Sequence, residues 1–247
     1  MNFLLDLNWF AIGQIILVDI LLGGDNAILI ALACRNLPPA LRSRGILWGT
    51  VGAIAIRLVL VFFAVSLLEM PYLKLAGGLL LLWIGVKLLI DEEAGHDHIK
   101  GSDQLLTAIK TIIIADLVMS IDNVIAVSSV AQHAGGDQQM LLVVFGILVS
   151  IPIIVWGSTL VLKTMDRFPL IITLGAALLG YLGGAMIFSD AGLMLLIAAQ
   201  ISWLEFTVPG LDLHLSLPGL VGAVAVPVVG HWIEARRAHV ASAERDN

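Results

Sequence analysis

The sequence is poor in cysteine, in charge and in nucleotide-binding motifs. Its single cysteine, Cys34, excludes an intrachain disulfide and a metal cluster built from cysteine thiolates. Only 13% of the residues are charged, whereas an average soluble domain has about 25%. The phosphate-binding pattern G-x4-G-K-[ST] occurs nowhere in the 247 residues. A soluble domain and a nucleotide-driven machine are therefore both disfavoured.

Long apolar runs occupy most of the chain instead. The chain is 59% hydrophobic, and its mean hydropathy is +1.00. The runs are continuous rather than alternating, which indicates membrane-spanning helices and not a β-barrel. We predict an all-α polytopic membrane protein with seven transmembrane helices, which cover residues 9–33, 46–68, 72–90, 105–131, 140–162, 170–188 and 217–233. Residues 191–204 are apolar but too short to span, so we expect an interfacial or re-entrant segment there.

The placement of lysine and arginine fits this map. With seven spans, 11 of the 13 basic residues fall on the same side of the membrane, and only Arg57 and Lys74 do not. Loops rich in lysine and arginine stay in the cytoplasm. We therefore expect an integral protein of the bacterial inner membrane, with its N-terminus outside and its C-terminus in the cytoplasm.

A motif inside the first span is copied inside the fourth. Both copies read D-x5-D-N-x-I, and matched positions lie 97 residues apart. The first copy contributes Asp19, Asp25 and Asn26, and the second contributes Asp116, Asp122 and Asn123. Beyond the motif, Gly49 matches Gly146, and after a one-residue slip Pro71, Gly77, Trp83 and Gly85 match Pro169, Gly175, Tyr181 and Gly183. Since each copy has three spans, an odd number, the copies have opposite topology, as in many secondary transporters.

This repeat divides the chain into four parts. Residues 1–90 form the first three-helix repeat, and residues 91–104 form a polar cytoplasmic linker. Residues 105–189 form the second three-helix repeat, and residues 190–247 hold an external segment, the seventh helix and a cytoplasmic tail. The linker contains His96-Asp97-His98, whose role the sequence leaves open.

The two motif copies place four carboxylates and two amides where lipid is expected. An ionisable residue at the bilayer centre costs roughly 2.5–3.5 kcal/mol, so four in matched positions indicate a function. Residues seven apart share a helix face, and a local unwinding at Gly23-Gly24 would let all three polar groups of the first copy converge. The second copy has Ser120-Ile121 there, where a serine can satisfy freed backbone groups but a break is less favoured than at the two glycines. Mg²⁺, Ca²⁺ and Mn²⁺ prefer such an oxygen-only set, so we predict a mid-membrane site for a divalent cation.

Arg57 is the one basic residue deep inside a predicted span. Its repeat counterpart is Ile154, so the arginine belongs to one copy alone. We expect it to be a structural partner for one of the carboxylates, with a gating role as the alternative.

The motif pair resembles the TerC family of integral membrane proteins. The residues that carry the resemblance are Leu22-Gly-Gly-Asp25-Asn26-Ala together with the segment from Asp116 to Val124, and the resemblance covers residues 8 to 190. The short seven-span form resembles the metal transport proteins of the YjbE type. The resemblance implies a LysE-like exporter, a link to manganese export and tellurite resistance, and an ion site made by the six motif residues.

Three functional hypotheses follow. The leading one is an exporter of divalent cations, most of all Mn²⁺, with Ca²⁺ or Mg²⁺ as alternatives, driven by proton exchange. The cation is a substrate, and no permanently bound cofactor is expected. The second is a membrane-assembly or metalation partner, and the third is an intramembrane aspartyl protease, although we expect no enzyme. The expected partners are the lipid bilayer, the metal ion and protons but no nucleic acid, and the oligomeric state stays open.

Overall fold

A computed structural model describes residues 13, 17, 24–68, 70–90, 101–133, 139–190, 192–194, 205–208 and 213–245. Within this part, the chain forms seven helices of eleven residues or more and one pair of strands. They are α1 (Gly24–Cys34), α2 (Pro39–Leu68), α3 (Leu73–Leu89), α4 (Gly101–His133), α5 (Gln139–Arg167), α6 (Leu170–Phe188), β1 (Glu205–Val208), β2 (Leu213–Ser216) and α7 (Leu217–Arg245). The chain is thus a helical, polytopic membrane protein, as its composition predicts.

Five helices of the described part are long and apolar enough to cross a membrane. These spans are Pro39–Leu60, Ser102–Ile121, Leu148–Arg167, Leu170–Phe188 and Leu217–Arg237. Helix α3 has 17 residues, at the lower limit of a spanning helix, and α1 is a shorter apolar helix. Most of the predicted first span before α1 lies outside the described residues, so the count of seven stays a prediction.

The second helix begins earlier than its apolar run predicts. It starts at Pro39 rather than near residue 46. A proline is favoured at the first helical position, because a backbone N–H there would have no acceptor within the helix and proline has no N–H. Arg42 therefore lies in the first turns of α2, where its guanidinium donates to the carbonyl oxygens of Leu37 (3.1 Å) and Arg35 (2.8 Å). The connection between the first two predicted spans is therefore only four residues long, 35–38, rather than residues 34–45.

A β-hairpin follows the sixth helix, which the all-α prediction missed. Strands β1 and β2 pair antiparallel, from Glu205 opposite Ser216 to Val208 opposite Leu213. The sequence contained the signal, because Pro209-Gly210 separates two short segments with apolar residues at every second position. The predicted interfacial segment at residues 191–204 lies almost entirely outside the described residues.

The chain folds into two compact units. Unit 1 contains residues 1–69 and 100–164, and unit 2 contains residues 70–99 and 165–247. Helices α1, α2, α4 and most of α5 thus belong to unit 1, whereas α3, α6, the hairpin and α7 belong to unit 2. Each unit takes segments from both predicted repeats, so the spatial grouping differs from the division along the sequence, which stays a prediction.

Glycines bring helices α3 and α6 of unit 2 into close contact. A Cβ added to Gly78 would lie 2.5 Å from the carbonyl oxygen of Gly183, and one added to Gly183 would lie 2.8 Å from that of Gly78. Further along, Gly85 faces the carbonyl oxygen of Ala176. Because higher residue numbers on α3 meet lower ones on α6, the two helices run antiparallel.

Helix α7 packs against α6 in the same manner. A Cβ on Gly180 would clash with the carbonyl oxygen of Gly222, and one on Gly184 would clash with that of Pro218. These pairs make α6 and α7 antiparallel as well. Leu89 at the end of α3, Ala176 and Val226 form a buried apolar cluster in this unit.

One carboxylate joins two distant segments of unit 2. Asp190, just after α6, is only 1% exposed. Its Oδ1 accepts from the backbone N–H groups of Tyr72 (3.1 Å) and Leu193 (3.0 Å). Its Oδ2 accepts from those of Lys74 (3.1 Å) and Leu75 (3.2 Å), at the start of α3. Tyr72, with φ of 65°, is held in the left-handed region, which non-glycine residues rarely adopt.

These hydrogen bonds favour the ionised form of Asp190. Burial opposes ionisation, but the backbone N–H groups of Leu193, Leu75 and Tyr72 outweigh it and hold the pKa of this carboxyl below its ordinary value. A depressed pKa adds stability above the unfolded-state value of about 3.9, and that stability is lost as the pH falls through the folded-state pKa.

We therefore expect Asp190→Asn to lower the melting temperature by at least about 2 °C near pH 7, because an amide has one acceptor oxygen and places donors opposite donors. The difference from wild type should stay constant above about pH 5 and shrink below about pH 4. Thermal unfolding in detergent across this range measures it. Asp103→Asn, the same change at an exposed position, is the control. Equal melting temperatures for Asp190→Asn and wild type would contradict a stabilising role of the hydrogen bonds to Asp190.

Candidate functional site

Two glycines of α2 set the distance between α2 and α4 in unit 1. A Cβ on Gly49 would clash with the side chain of Ile112, and one on Gly52 would lie 2.5 Å from the Cδ1 of Ile113. Since residue numbers rise together along this contact, the helices run parallel. The approach brings the Arg57 side chain of α2 to the level of the second motif copy on α4.

Arg57 pairs with the first aspartate of that copy. Its Nη2 donates to Asp116 Oδ1 at 2.5 Å, and its Nε donates to Ser120 Oγ at 3.1 Å. Ser120 in turn donates to Asp116 Oδ2 at 3.1 Å. Relative exposures of 2% for Arg57, 3% for Asp116 and 0% for Ser120 place the whole network in the interior. The prediction that Arg57 pairs with a motif carboxylate is confirmed.

Ser120 has a role that the sequence did not predict. The sequence made a break less favourable here than at Gly23-Gly24, and α4 continues as a helix through this position. The hydroxyl bridges Arg57 and Asp116 instead of satisfying freed backbone groups. The signal for this contact is the spacing of Asp116 and Ser120, because residues four apart are neighbours on a helix face.

The first motif copy lies at the start of α1. Asn26 is 2% exposed, and both its side-chain nitrogen and its side-chain oxygen lack a hydrogen-bond partner among the described residues. Its backbone N–H donates to Asp25 Oδ1 at 2.8 Å. Helix α1 packs against both α2 and α4, and the charges of Arg57 and Asp116 act on Asp25. The first motif copy and the Arg57–Asp116 pair therefore lie in the same packed part of unit 1, although the two motif copies are 97 residues apart in the sequence.

The other predicted site residues are not described to the same depth. Asp19 lies outside the described residues, and Asp122 and Asn123 lie within α4 without described side chains. Among the described side chains, no three His, Cys, Asp or Glu residues gather closely enough to hold a metal ion. The six-residue cation site therefore stays a prediction.

Helix α5 adds buried hydroxyl groups to unit 1. Ser150 and Ser158 are both fully buried, and Ser158 Oγ donates to the carbonyl oxygen of Ile154 at 2.8 Å. A Cβ on Gly157 would lie 3.8 Å from that of Ala27, which places α5 beside the first motif copy. Sequence reasoning missed these serines because nothing in the repeat singles them out.

The described side chains of this site offer carboxylate, amide and hydroxyl oxygens around one guanidinium. Hard divalent cations prefer such oxygen donors. Asp116 is already neutralised by Arg57, whereas the two side-chain polar atoms of Asn26 have no hydrogen-bond partner among the described residues. The arrangement is therefore suited to binding a cation next to Asp25 and Asn26.

Comparison with known proteins also indicates an integral membrane protein. A family model described as "Integral membrane protein TerC family" matches residues 5–237. The membrane protein YjbE of Bacillus subtilis (strain 168) is 48% identical over 181 residues, which make up 73% of this chain and 80% of YjbE. The inner membrane protein YgdQ of Escherichia coli (strain K12) is 24% identical over 72% of this chain and 80% of YgdQ. No solved structure matches the chain.

The buried ion pair makes a direct prediction about stability. Replacing Arg57 with leucine leaves Asp116 charged in an apolar interior, so we expect the free energy of unfolding to fall by about 3–5 kcal/mol. Adding Asp116→Asn should restore most of this loss. Unfolding in detergent measures both variants, with Arg44→Leu, an exposed change on the same helix, as the control. A single variant as stable as wild type, or a double variant no more stable than the single one, would contradict the pairing.

Proposed function

The chain belongs to the TerC family of integral membrane proteins, and from this premise we propose that it transports divalent metal cations, with Mn²⁺ exported from the cytoplasm. In this proposal the cation is the substrate, and it passes a mid-membrane site made by Asp19, Asp25, Asn26, Asp116, Asp122 and Asn123. We further propose a location in the bacterial inner membrane, with the N-terminus outside and the C-terminus in the cytoplasm.

One observation carries this proposal: at the start of α1, the amide of Asn26 is buried next to Asp25 and has no hydrogen-bond partner among the described residues. Buried polar atoms nearly always have a hydrogen-bond or ligand partner, since leaving them without one is unfavourable. Both polar atoms of Asn26 lack one among the described residues. In this proposal, a cation held by Asp25 would also be a partner for the amide oxygen of Asn26.

The packing of unit 2 supports the proposed inverted repeat. The repeat matches Gly78 with Ala176 and Gly85 with Gly183. Exchanging the two copies turns the contact of Gly78 with Gly183 into the contact of Ala176 with Gly85, and both contacts occur. Two antiparallel helices with interchangeable contacts are what a two-fold axis in the membrane plane produces, and transporters with inverted repeats are built around such an axis.

The other functional hypotheses receive less support. An aspartyl protease needs two carboxylates that share a proton, whereas Asp116 is paired with Arg57 in the interior. A metalation or assembly partner would use the same site without moving metal through the membrane. Flux of metal into proteoliposomes that contain the purified protein alone separates this partner role from transport.

We expect Asp25→Asn and Asp122→Asn each to abolish Mn²⁺ flux in proteoliposomes, because both carboxylates contribute to one site in this proposal. Equal amounts of inserted, folded protein must be verified for each variant. Asp103→Asn, which removes an exposed carboxylate at the start of α4, should keep wild-type flux. Normal flux in either motif variant would contradict a single shared site.

Export needs an energy source, and we propose proton exchange. Moving a divalent cation out against an inside-negative potential costs about 4.6 kcal/mol per 100 mV. Metal binding to carboxylates displaces protons, so the same aspartates can carry protons inward after the metal leaves. At clamped voltage, an imposed pH gradient should drive Mn²⁺ flux in liposomes, and reversing the gradient should reverse the flux. Flux that ignores the gradient and moves no protons would instead indicate a passive pathway.

A further inference from the structure

Both carboxylate oxygens of Asp116 already have partners. Oδ1 accepts from the guanidinium of Arg57, and Oδ2 accepts from the hydroxyl of Ser120. Ser120 also accepts from Arg57 Nε, which closes the network into a ring. A divalent ion on Asp116 would lie next to the positive guanidinium in a buried region, where the repulsion between like charges is strong.

The first motif copy lacks this arrangement at the sequence level. Ile154 occupies the position that matches Arg57, and Gly23 occupies the position that matches Ser120. The positions that match the two partners of Asp116 therefore carry no side chain that could donate a hydrogen bond to the counterpart of Asp116, which is Asp19. In contrast, the buried amide of Asn26 in the first copy has no hydrogen-bond partner among the described residues.

From this asymmetry we infer that the two motif copies have different roles. The first copy, through Asp25 and Asn26, binds the cation. In the second copy, Asp116 is no metal ligand but an anchor, which holds Arg57 and Ser120 in place and neutralises the arginine beside the site. This inference rests on the proposed function, and it changes the ligand set of that site by removing one of its six residues.

The anchor role and the ligand role differ in what a paired substitution does. Removing one partner of a buried ion pair leaves an uncompensated charge, whereas replacing both by neutral groups of similar shape is often tolerated. Arg57→Gln combined with Asp116→Asn keeps two polar side chains of similar size facing each other. If Asp116 is an anchor, this double variant keeps its cation site. If Asp116 is a ligand, the double variant loses one of the carboxylates that bind the cation.

The test measures Mn²⁺ binding to the purified full chain in detergent, by titration calorimetry and by the rise in melting temperature with metal. We expect the Kd of the double variant to stay within about threefold of wild type. Asp25→Asn should weaken binding at least about 100-fold, since it removes a unit charge near a divalent ion. A double variant that loses as much affinity as Asp25→Asn would overturn the inference.

A second variant covers the case in which the neutral pair does not fold. Asp116→Glu alone keeps the carboxylate charge and both donors of Arg57, which a lysine could not replace. It moves the carboxylate by about one methylene, which a long arginine side chain follows and a metal ligand geometry does not. Unchanged Mn²⁺ affinity supports the anchor, and a large loss overturns it. A wild-type protein that binds no divalent ion overturns the proposed function and this inference with it, whereas binding lost only in the Asp116 variants overturns the inference alone.

Discussion

The interior of unit 1 depends on the neutralisation of one buried charge by another. Arg57 and Asp116 could not remain charged in an apolar membrane interior as single residues, because a lone ion there is strongly unfavourable. Their contact requires α2 and α4 to lie close and parallel, and Gly49 and Gly52 permit that approach. The same pair brings positive and negative charge to the side of Asp25. Helix packing, charge balance and the candidate site thus all depend on the contact between Arg57 and Asp116.

Unit 2 is organised by a different principle. Its helices contain few polar groups in their contacts and approach through Gly180, Gly183 and Gly222, so that backbone lies directly on backbone. Small residues at helix contacts are the usual way in which membrane helices gain packing without a hydrophobic driving force. Its main polar interaction, the carboxylate of Asp190, lies just beyond the end of α6. The chemical groups of the proposed site therefore belong to unit 1, whereas the described helix contacts of unit 2 are made by small and apolar residues.

Sequence patterns predicted the parts of the structure that are local or periodic. The bounds of α6 were predicted at residues 170–188 because an apolar run ends there at a proline on one side and a polar pair on the other. The pairing of Arg57 followed from its depth. The contact of Ser120 with Arg57 and that of Asp190 with the start of α3 could not be predicted, because each joins segments that are distant in the sequence. The hairpin was missed because two strands of four residues give a weak pattern beside long apolar helices.

The carboxylate that caps α3 has a consequence for how the protein is made. Asp190 lies 118 residues after Tyr72, so the ribosome must synthesise α4, α5 and α6 before the start of α3 receives its acceptor. Until then, the first N–H groups of α3 must be satisfied by water or by other polar groups at the membrane surface. Unit 2 therefore reaches its final form late in biosynthesis, and a chain truncated before residue 190 would leave the insertion machinery with an uncapped third helix.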